Sequence, residues 1–141
     1  MQEKILVAKS ELIHRPDKPH HFMVLEKAEH AYSAYCGDNI LAMSSNAMVL
    51  KEQNSKSYEP KIYFPLQSVF RERLVVSDKQ THCPLKGQAR YYHLKTDTRT
   101  WNDIAWQYCH VENFDPRLWQ LLNYISFDTT QVSLSLNFTD V

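Results

Sequence analysis

The chain has 141 residues, 43% of them hydrophobic, which fits one packed globular domain and excludes a disordered segment. Sixteen basic residues balance sixteen acidic ones, so the composition argues against non-specific electrostatic binding of extended nucleic acid. No apolar run approaches the roughly 20 residues of a membrane span, and the charged N-terminus lacks the apolar core of a signal peptide. We therefore expect a single domain over residues 1–141, located in the cytoplasm and without a membrane partner.

Alternation of apolar and polar residues is the dominant pattern and predicts a mainly β fold. We expect one antiparallel domain, either barrel-like or built from two sheets. The strands are predicted, in chain order, at residues 31–35, 40–44, 46–50, 61–64, 88–94, 100–108 and 132–139. In the last of these, Val132, Leu134, Leu136 and Phe138 fall on one face, which predicts that this face is buried.

Turn and cap residues support this reading. Cys36-Gly37-Asp38-Asn39 predicts a hairpin turn, because Gly, Asp and Asn tolerate positive φ. Pro65 ends a short strand and can open one helical turn. Asp115 predicts the start of the one convincing helix, at about 115–123, since aspartate caps helices and Pro116 suits the first helical position. Residues 15–21 and 53–59 are predicted loops.

The segment Thr81-His82-Cys83-Pro84-Leu85-Lys86-Gly87 combines a hydroxyl, a thiol and an ammonium group within a predicted surface loop. Lys86 follows Cys83 by three residues, so a turn could bring the ammonium group near the sulfur and favour the nucleophilic thiolate. Three interpretations stay open. Cys83 is a small buried hydrophobic residue, as free cysteines often are, or it contacts a ligand, or it acts as a covalent catalyst together with Lys86.

His82-Cys83 and Cys109-His110 together contain four side chains of the types that bind zinc. Zinc sites usually space paired ligands by two to five residues, because each pair must wrap around one ion. Adjacent residues rarely do so. We therefore predict no metal and no other cofactor, and three reduced thiols, including Cys36.

Aromatic residues cluster on the two strands that follow the Thr81–Gly87 segment. They are Tyr91, Tyr92, Trp101, Trp106 and Tyr108. Strict alternation places Trp106 and Tyr108 on the same face as Ile104, which we expect to be the core face. Core packing is the commoner use of such residues, but part of the set could line a shallow pocket for a flat ligand.

Arg71, Arg73, Glu52 and Asp103 are further polar candidates. An arginine near Lys86 would create a site for a phosphate or carboxylate group. Each of these charges is more often a solvated surface group or part of a structural ion pair.

Several short motifs occur in an order known from one protein family: Leu50-Lys51-Glu52, Tyr63-Phe64-Pro65, Thr81-x-Cys83-Pro84-x-Lys86-Gly87-x-Ala89-x-Tyr91-Tyr92, and Ala105-Trp106-x-Tyr108. Over residues 22–132 the chain resembles the bacterial domain-of-unknown-function family DUF427. The resemblance implies a small antiparallel β domain with a helix near its end, and no proven activity. The family's occasional nucleotidyltransferase label finds no support, since the chain lacks an Asp-x-Asp pair and a G-x-x-x-x-G-K-[ST] loop.

The sequence therefore predicts a cytosolic module that binds a small polar or anionic ligand in a pocket around the Thr81–Gly87 loop. The predicted ligand-binding residues are Thr81, Lys86, Gly87, Tyr91, Trp106, Tyr108, Arg71 and Asp103. Two alternatives belong to other classes. One is an enzyme that uses Cys83 as nucleophile or redox thiol, with Lys86 beside it. The other is a protein-interaction module without a pocket.

Overall fold

The computed structural model of the protein describes residues 12–137, except for the side chain of Asn137. Within this range, eleven strands form two antiparallel sheets. The strands are β1 (Ile13–His14), β2 (Phe22–Lys27), β3 (Ala31–Cys36), β4 (Asn39–Ser44), β5 (Met48–Gln53), β6 (Lys61–Pro65), β7 (Leu74–Cys83), β8 (Gly87–Lys95), β9 (Thr100–Val111), β10 (Tyr124–Phe127) and β11 (Ser133–Asn137).

The larger sheet has the order β1-β2-β5-β6-β10-β9-β8-β7, and the smaller one has the order β11-β3-β4. The predicted mainly β, antiparallel fold is confirmed. In the described residues the larger sheet ends at β1 and β7 without closing, so the two-sheet form is the correct one. No helix in this part of the chain is long and apolar enough to cross a membrane.

The first predicted hairpin is β3–β4. Cys36 pairs with Asn39, which leaves Gly37 and Asp38 as a two-residue turn, and Gly37 has a φ of 58°. The next predicted strand, now β5, leaves this hairpin and enters the larger sheet between β2 and β6. Strand β2 was not predicted.

The segment Thr81–Gly87 is not the surface loop that the sequence predicted. Thr81, His82 and Cys83 belong to β7, which pairs with β8 so that Cys83 lies opposite Gly87. The turn itself is confined to residues 84–86. Strand β7 went unrecognised because it is an edge strand with both faces largely exposed, so its residues do not alternate in polarity.

The predicted helix is a 3₁₀ helix at Pro116–Asn123. As expected, the side chain of Asp115 caps it, accepting a hydrogen bond of 2.9 Å from the backbone N–H of Arg117. Because a 3₁₀ helix has three residues per turn, Leu118 and Leu121 lie on one face, and both are fully buried. Two shorter 3₁₀ turns, Leu66–Ser68 and Arg71–Arg73, connect β6 to β7.

Two hydrophobic cores lie on the larger sheet. The first core includes Phe64, Ile104 and Phe127 and contacts the smaller sheet through Ala34. The second core contains Leu50, Tyr63, Leu85, Tyr108, Leu118 and Leu121, so the 3₁₀ helix covers it. The candidate functional site lies at the edge of this second core.

The predicted faces of β9 and β11 need correction. Trp106 and Tyr108 pack in the second core, whereas Ile104 packs in the first. The register between β8 and β9 shifts near Asp103, which adopts a φ of 51°, and this bulge interrupts the alternation. In β11, Leu136 is 46% exposed, so the predicted buried face ends before it.

Replacing Gly87 with alanine should destabilise the protein by at least about 2 kcal/mol. Gly87 has a φ of 120°, and an added Cβ would overlap the carbonyl oxygen of His110 and lie 2.6 Å from Cα of Val111. Gly37→Ala is the matched control, since its φ is also positive but its surroundings are open; it should lose roughly 1 kcal/mol. Urea unfolding measures both. Equal losses would contradict the close approach at Gly87.

Candidate functional site

A cavity of about 420 Å³ opens at the edge of the second core. Its wall combines charged, aromatic and apolar side chains: Leu50, Glu52, Tyr58, Glu59, Lys61, Tyr63, Lys79, Lys86, Tyr91, Asp103, Trp106, Tyr108 and Asp128. Most of these residues come from β5 and β6 on one side and from β7, β8 and β9 on the other. The remaining ones lie in connecting segments: Tyr58 and Glu59 between β5 and β6, Lys86 in the β7–β8 turn, and Asp128 directly after β10. The larger sheet therefore curves so that strands far apart in its order face each other across the cavity.

Lys86 and Glu52 form an ion pair in the wall of the cavity. Nζ of Lys86 donates a short hydrogen bond to Oε1 of Glu52, and the two side chains are only 12% and 13% exposed. The second carboxylate oxygen of Glu52 lies 2.9 Å from Nε2 of His21. The ammonium group also lies 5.8 Å from the centre of the Tyr108 ring. Lys86 is held there by the tight turn between β7 and β8.

Electrostatics favour the charged form of both partners. Burial raises the pKa of Glu52, but the charges and hydrogen bonds of Lys86 and His21 outweigh it, so the net pKa is lowered. Burial lowers the pKa of Lys86, but neighbouring acidic groups outweigh burial and raise the net pKa above its usual value: Tyr108 and Tyr63, whose effect requires their ionised forms, and Glu52, which is already ionised at neutral pH. The pair is therefore ionised at neutral pH.

Aromatic rings form a second part of the cavity wall. The indole N–H of Trp106 donates a hydrogen bond of 3.1 Å to the hydroxyl of Tyr63, and the two rings meet edge to face. Tyr91 lies on the other side of Trp106, with 6.3 Å between ring centres. Burial raises the pKa of Tyr63 and of Tyr108, so both phenols keep their protons. Nζ of Lys79 lies 4.5 Å from the centre of the Tyr91 ring.

The structure brings five of the predicted site residues together in this wall. They are Lys86, Tyr91, Asp103, Trp106 and Tyr108. Asp103 reaches the cavity at the bulge in β9, where its carboxylate accepts a hydrogen bond from Ser77. Glu52, a polar candidate from the sequence, is the partner of Lys86.

The other predicted residues lie outside the wall. Thr81 is exposed on β7 and shares a hydrogen bond of 3.1 Å with the hydroxyl of Tyr91. Gly87 is buried and shapes the turn. Arg71 lies on an exposed 3₁₀ turn and does not line the described cavity. Cys83 is half-buried beside the cavity, and its assignment as a nucleophile stays a prediction.

Sequence reasoning missed seven residues of the wall and His21 as a partner of Glu52. The missed wall residues are Leu50, Tyr58, Glu59, Lys61, Tyr63, Lys79 and Asp128. Tyr63 stood in a recognised motif and could have been proposed from it. His21 follows a loop and carries no local signal of its contact with Glu52, which lies 31 residues further along the chain.

One group of at least three metal-ligating side chains occurs in residues 12–137. One ligand atom each from His21, Glu52 and Cys83 lies within 4.8 Å of the others. The zinc pairs considered from the sequence do not converge in this way. His82 instead contacts Glu112 at 2.9 Å, and the thiol of Cys109 donates to the backbone carbonyl of Gln88.

A family model described as a domain of unknown function (DUF427) matches residues 24–137. The match covers most of the chain and spans every residue of the cavity wall. It agrees with the resemblance found in the sequence motifs. No curated protein matches the chain.

Removing one member of the buried ion pair should be far more damaging than removing both. Glu52→Gln leaves the buried ammonium group of Lys86 without its carboxylate, and Lys86→Met leaves the buried Glu52 with His21 alone. Each single variant should lose roughly 3–5 kcal/mol, whereas the double variant should recover most of the loss. Urea unfolding measures each value. Glu26→Gln is the control, because its 2.9 Å pair with Lys51 is exposed and should contribute about 1 kcal/mol or less. Additive losses in the double variant would contradict a coupled pair.

The stabilisation from Glu52 should depend on pH. Its pKa in the folded protein is below the unfolded value, so its contribution is present above the unfolded pKa and is lost as pH falls through the folded pKa. The stability difference between the native protein and Glu52→Gln should therefore shrink below about pH 4. Urea titrations at neutral and acidic pH measure this. A difference that stays constant down to pH 3 would show that the carboxylate charge is not responsible.

Proposed function

The chain belongs to the DUF427 family, and we propose that it binds a small, planar, polar organic molecule in the cavity beside Glu52 and Lys86. One observation carries the proposal: a buried ion pair faces a cavity whose other wall is aromatic. The volume of about 420 Å³ falls within the range of small-molecule sites, roughly 300–1,000 Å³.

The buried ion pair supports a binding function, because a contribution to folding stability does not by itself explain why these two charges are buried. Desolvating two charges is costly, and well-packed apolar residues of similar volume are often as stable or more so. An ammonium group has three N–H bonds. Among the described residues, the hydrogen bond of the Lys86 ammonium goes to Glu52. The remaining N–H bonds can donate to a ligand in the cavity, and the ion pair holds the amine in position for it.

The aromatic wall favours a flat ligand. Trp106 and Tyr91 are both half-buried, so part of each ring remains accessible from the cavity. The hydrogen bond to Tyr63 fixes the orientation of the indole. A planar molecule can stack against such rings at a small loss of conformational entropy, because the rings are already ordered.

The charge of the wall narrows the class of ligand. Three lysines line the cavity, and four carboxylates accompany them: Glu52, Glu59, Asp103 and Asp128. Lys86 is already neutralised by Glu52, so the wall has no excess of positive charge for a polyanion. Of the polar or anionic ligands that the sequence predicted, a neutral or zwitterionic one therefore fits this wall best.

Benzamide, cyclohexanecarboxamide and benzoate test this proposal as probes of planarity and charge. We expect benzamide to bind more tightly than cyclohexanecarboxamide, the non-planar amide, and at least as tightly as benzoate. In two-dimensional NMR spectra, benzamide should shift the indole N–H signal of Trp106 but not that of Trp119. Tyr91→Leu should weaken benzamide binding by about 3- to 10-fold, the equivalent of one aromatic contact.

Tyr35→Leu is the matched control for this experiment. Tyr35 is a half-buried tyrosine on β3 and does not line the cavity. Its replacement should leave benzamide binding unchanged. The proposal fails if neither aromatic probe shifts the Trp106 signal, or if the two tyrosine variants weaken binding equally.

A further inference from the structure

We propose that His21, Glu52 and Cys83 form a binding site for a transition-metal ion, and that Zn²⁺ is the ion it fits best. Their ligand atoms lie within 4.8 Å of one another, so small side-chain adjustments can bring all three onto one ion. Imidazole nitrogen, carboxylate oxygen and thiolate sulfur are the donor types that Zn²⁺ accepts in proteins. The combination of sulfur with nitrogen argues against Mg²⁺ and Ca²⁺, which prefer oxygen.

His21 provides an independent reason to expect a ligand. The residue is 4% exposed, and its Nδ1 is buried without a hydrogen-bond partner among the described residues. Buried polar atoms nearly always have a partner, so this nitrogen requires an explanation. Nε2 meanwhile lies 2.9 Å from Glu52, which fixes the ring close to the carboxylate. A metal ion bound at either nitrogen would fix the tautomer of the ring, because the ligating nitrogen carries no proton; bound at Nδ1, it would also give that atom its missing partner.

Cys83 is arranged as a ligating sulfur would be. The backbone N–H of Lys86 points at Sγ over 3.4 Å, because the turn at residues 84–86 folds the chain back onto the thiol. Such N–H donors stabilise the negative charge of a metal-bound thiolate and hold the sulfur in place. Cys83 is half-buried, so the residue is not fully enclosed by the core.

Glu52 serves the ion pair and the proposed metal site with different oxygens. Oε1 accepts from Lys86, and Oε2 faces His21. An ion bound at Oε2 and at the sulfur of Cys83 would release the thiol proton to solvent, and the imidazole would coordinate through a nitrogen that carries no proton. The thiolate and carboxylate balance the charge of Zn²⁺, and the positive charge of Lys86 remains. Three protein ligands leave a fourth coordination position open, as in catalytic zinc sites.

The proposed metal site overlaps the proposed ligand-binding wall at a single residue. Glu52 belongs to both, but His21 and Cys83 do not line the cavity. Metal binding and benzamide binding can therefore succeed or fail independently in the same protein.

Cobalt(II) is the probe for the test, because a Co²⁺–thiolate bond produces a charge-transfer absorption band. Metal-free protein titrated with CoCl₂ at pH 8 should show this band, and ZnCl₂ should remove it by competition. Cys83→Ser should abolish the band, and Cys109→Ser, a half-buried cysteine outside the cluster, should retain it. His21→Gln should weaken Co²⁺ binding at least 10-fold, as the loss of even an outer partner can do.

Alkylation gives a second readout that needs no variant. Mass spectrometry after iodoacetamide treatment should show that Zn²⁺ protects Cys83 and leaves the modification of Cys109 unchanged. Circular dichroism checks that each variant is folded. No charge-transfer band at saturating Co²⁺ would overturn the proposal, as would a band that persists in Cys83→Ser or equal modification of Cys83 with and without Zn²⁺.

Discussion

The buried ion pair between Lys86 and Glu52 connects two parts of the larger sheet that are not neighbours. Lys86 precedes β8, and Glu52 lies on β5, with β6, β10 and β9 between these strands in the sheet. The two side chains can meet only because the sheet curves. The same curvature creates the cavity and places the aromatic side chains of β8 and β9 opposite those of β6. The attraction between the charges compensates for part of the cost of removing them from water.

The turn that carries Lys86 depends on one glycine. Gly87 approaches the backbone of His110 so closely that no side chain fits, and this contact holds the β7–β8 turn against β9. Within this turn, the backbone N–H of Lys86 points at the sulfur of Cys83, and the ammonium group of Lys86 reaches Glu52. One backbone constraint therefore positions the groups of both the cavity and the cysteine cluster.

Membership of DUF427 gives the chain a fold and a set of motifs without an activity. The motif around Cys83 and Lys86 was recognisable in the sequence, and it does reach the cavity. The motif does not form the predicted surface loop, because Thr81, His82 and Cys83 lie on the exposed edge strand β7. The bulge at Asp103 likewise reversed the expected position of Ile104, because Ile104 lies within the irregular stretch between the paired residues Trp101 and Ala105. Such irregularities have no signature in the alternation of hydrophobic residues.

The sequence by itself determined the features whose causes lie within a few residues. The cap at Asp115, the hairpin turn at Gly37 and the proximity of the Lys86 backbone to Cys83 all follow from local backbone chemistry. Only the tertiary structure decided that Lys86 meets Glu52, 34 residues away, and that His21 joins them. Contacts of that kind depend on strand order and sheet curvature, which the packing of the whole domain sets and no local pattern encodes.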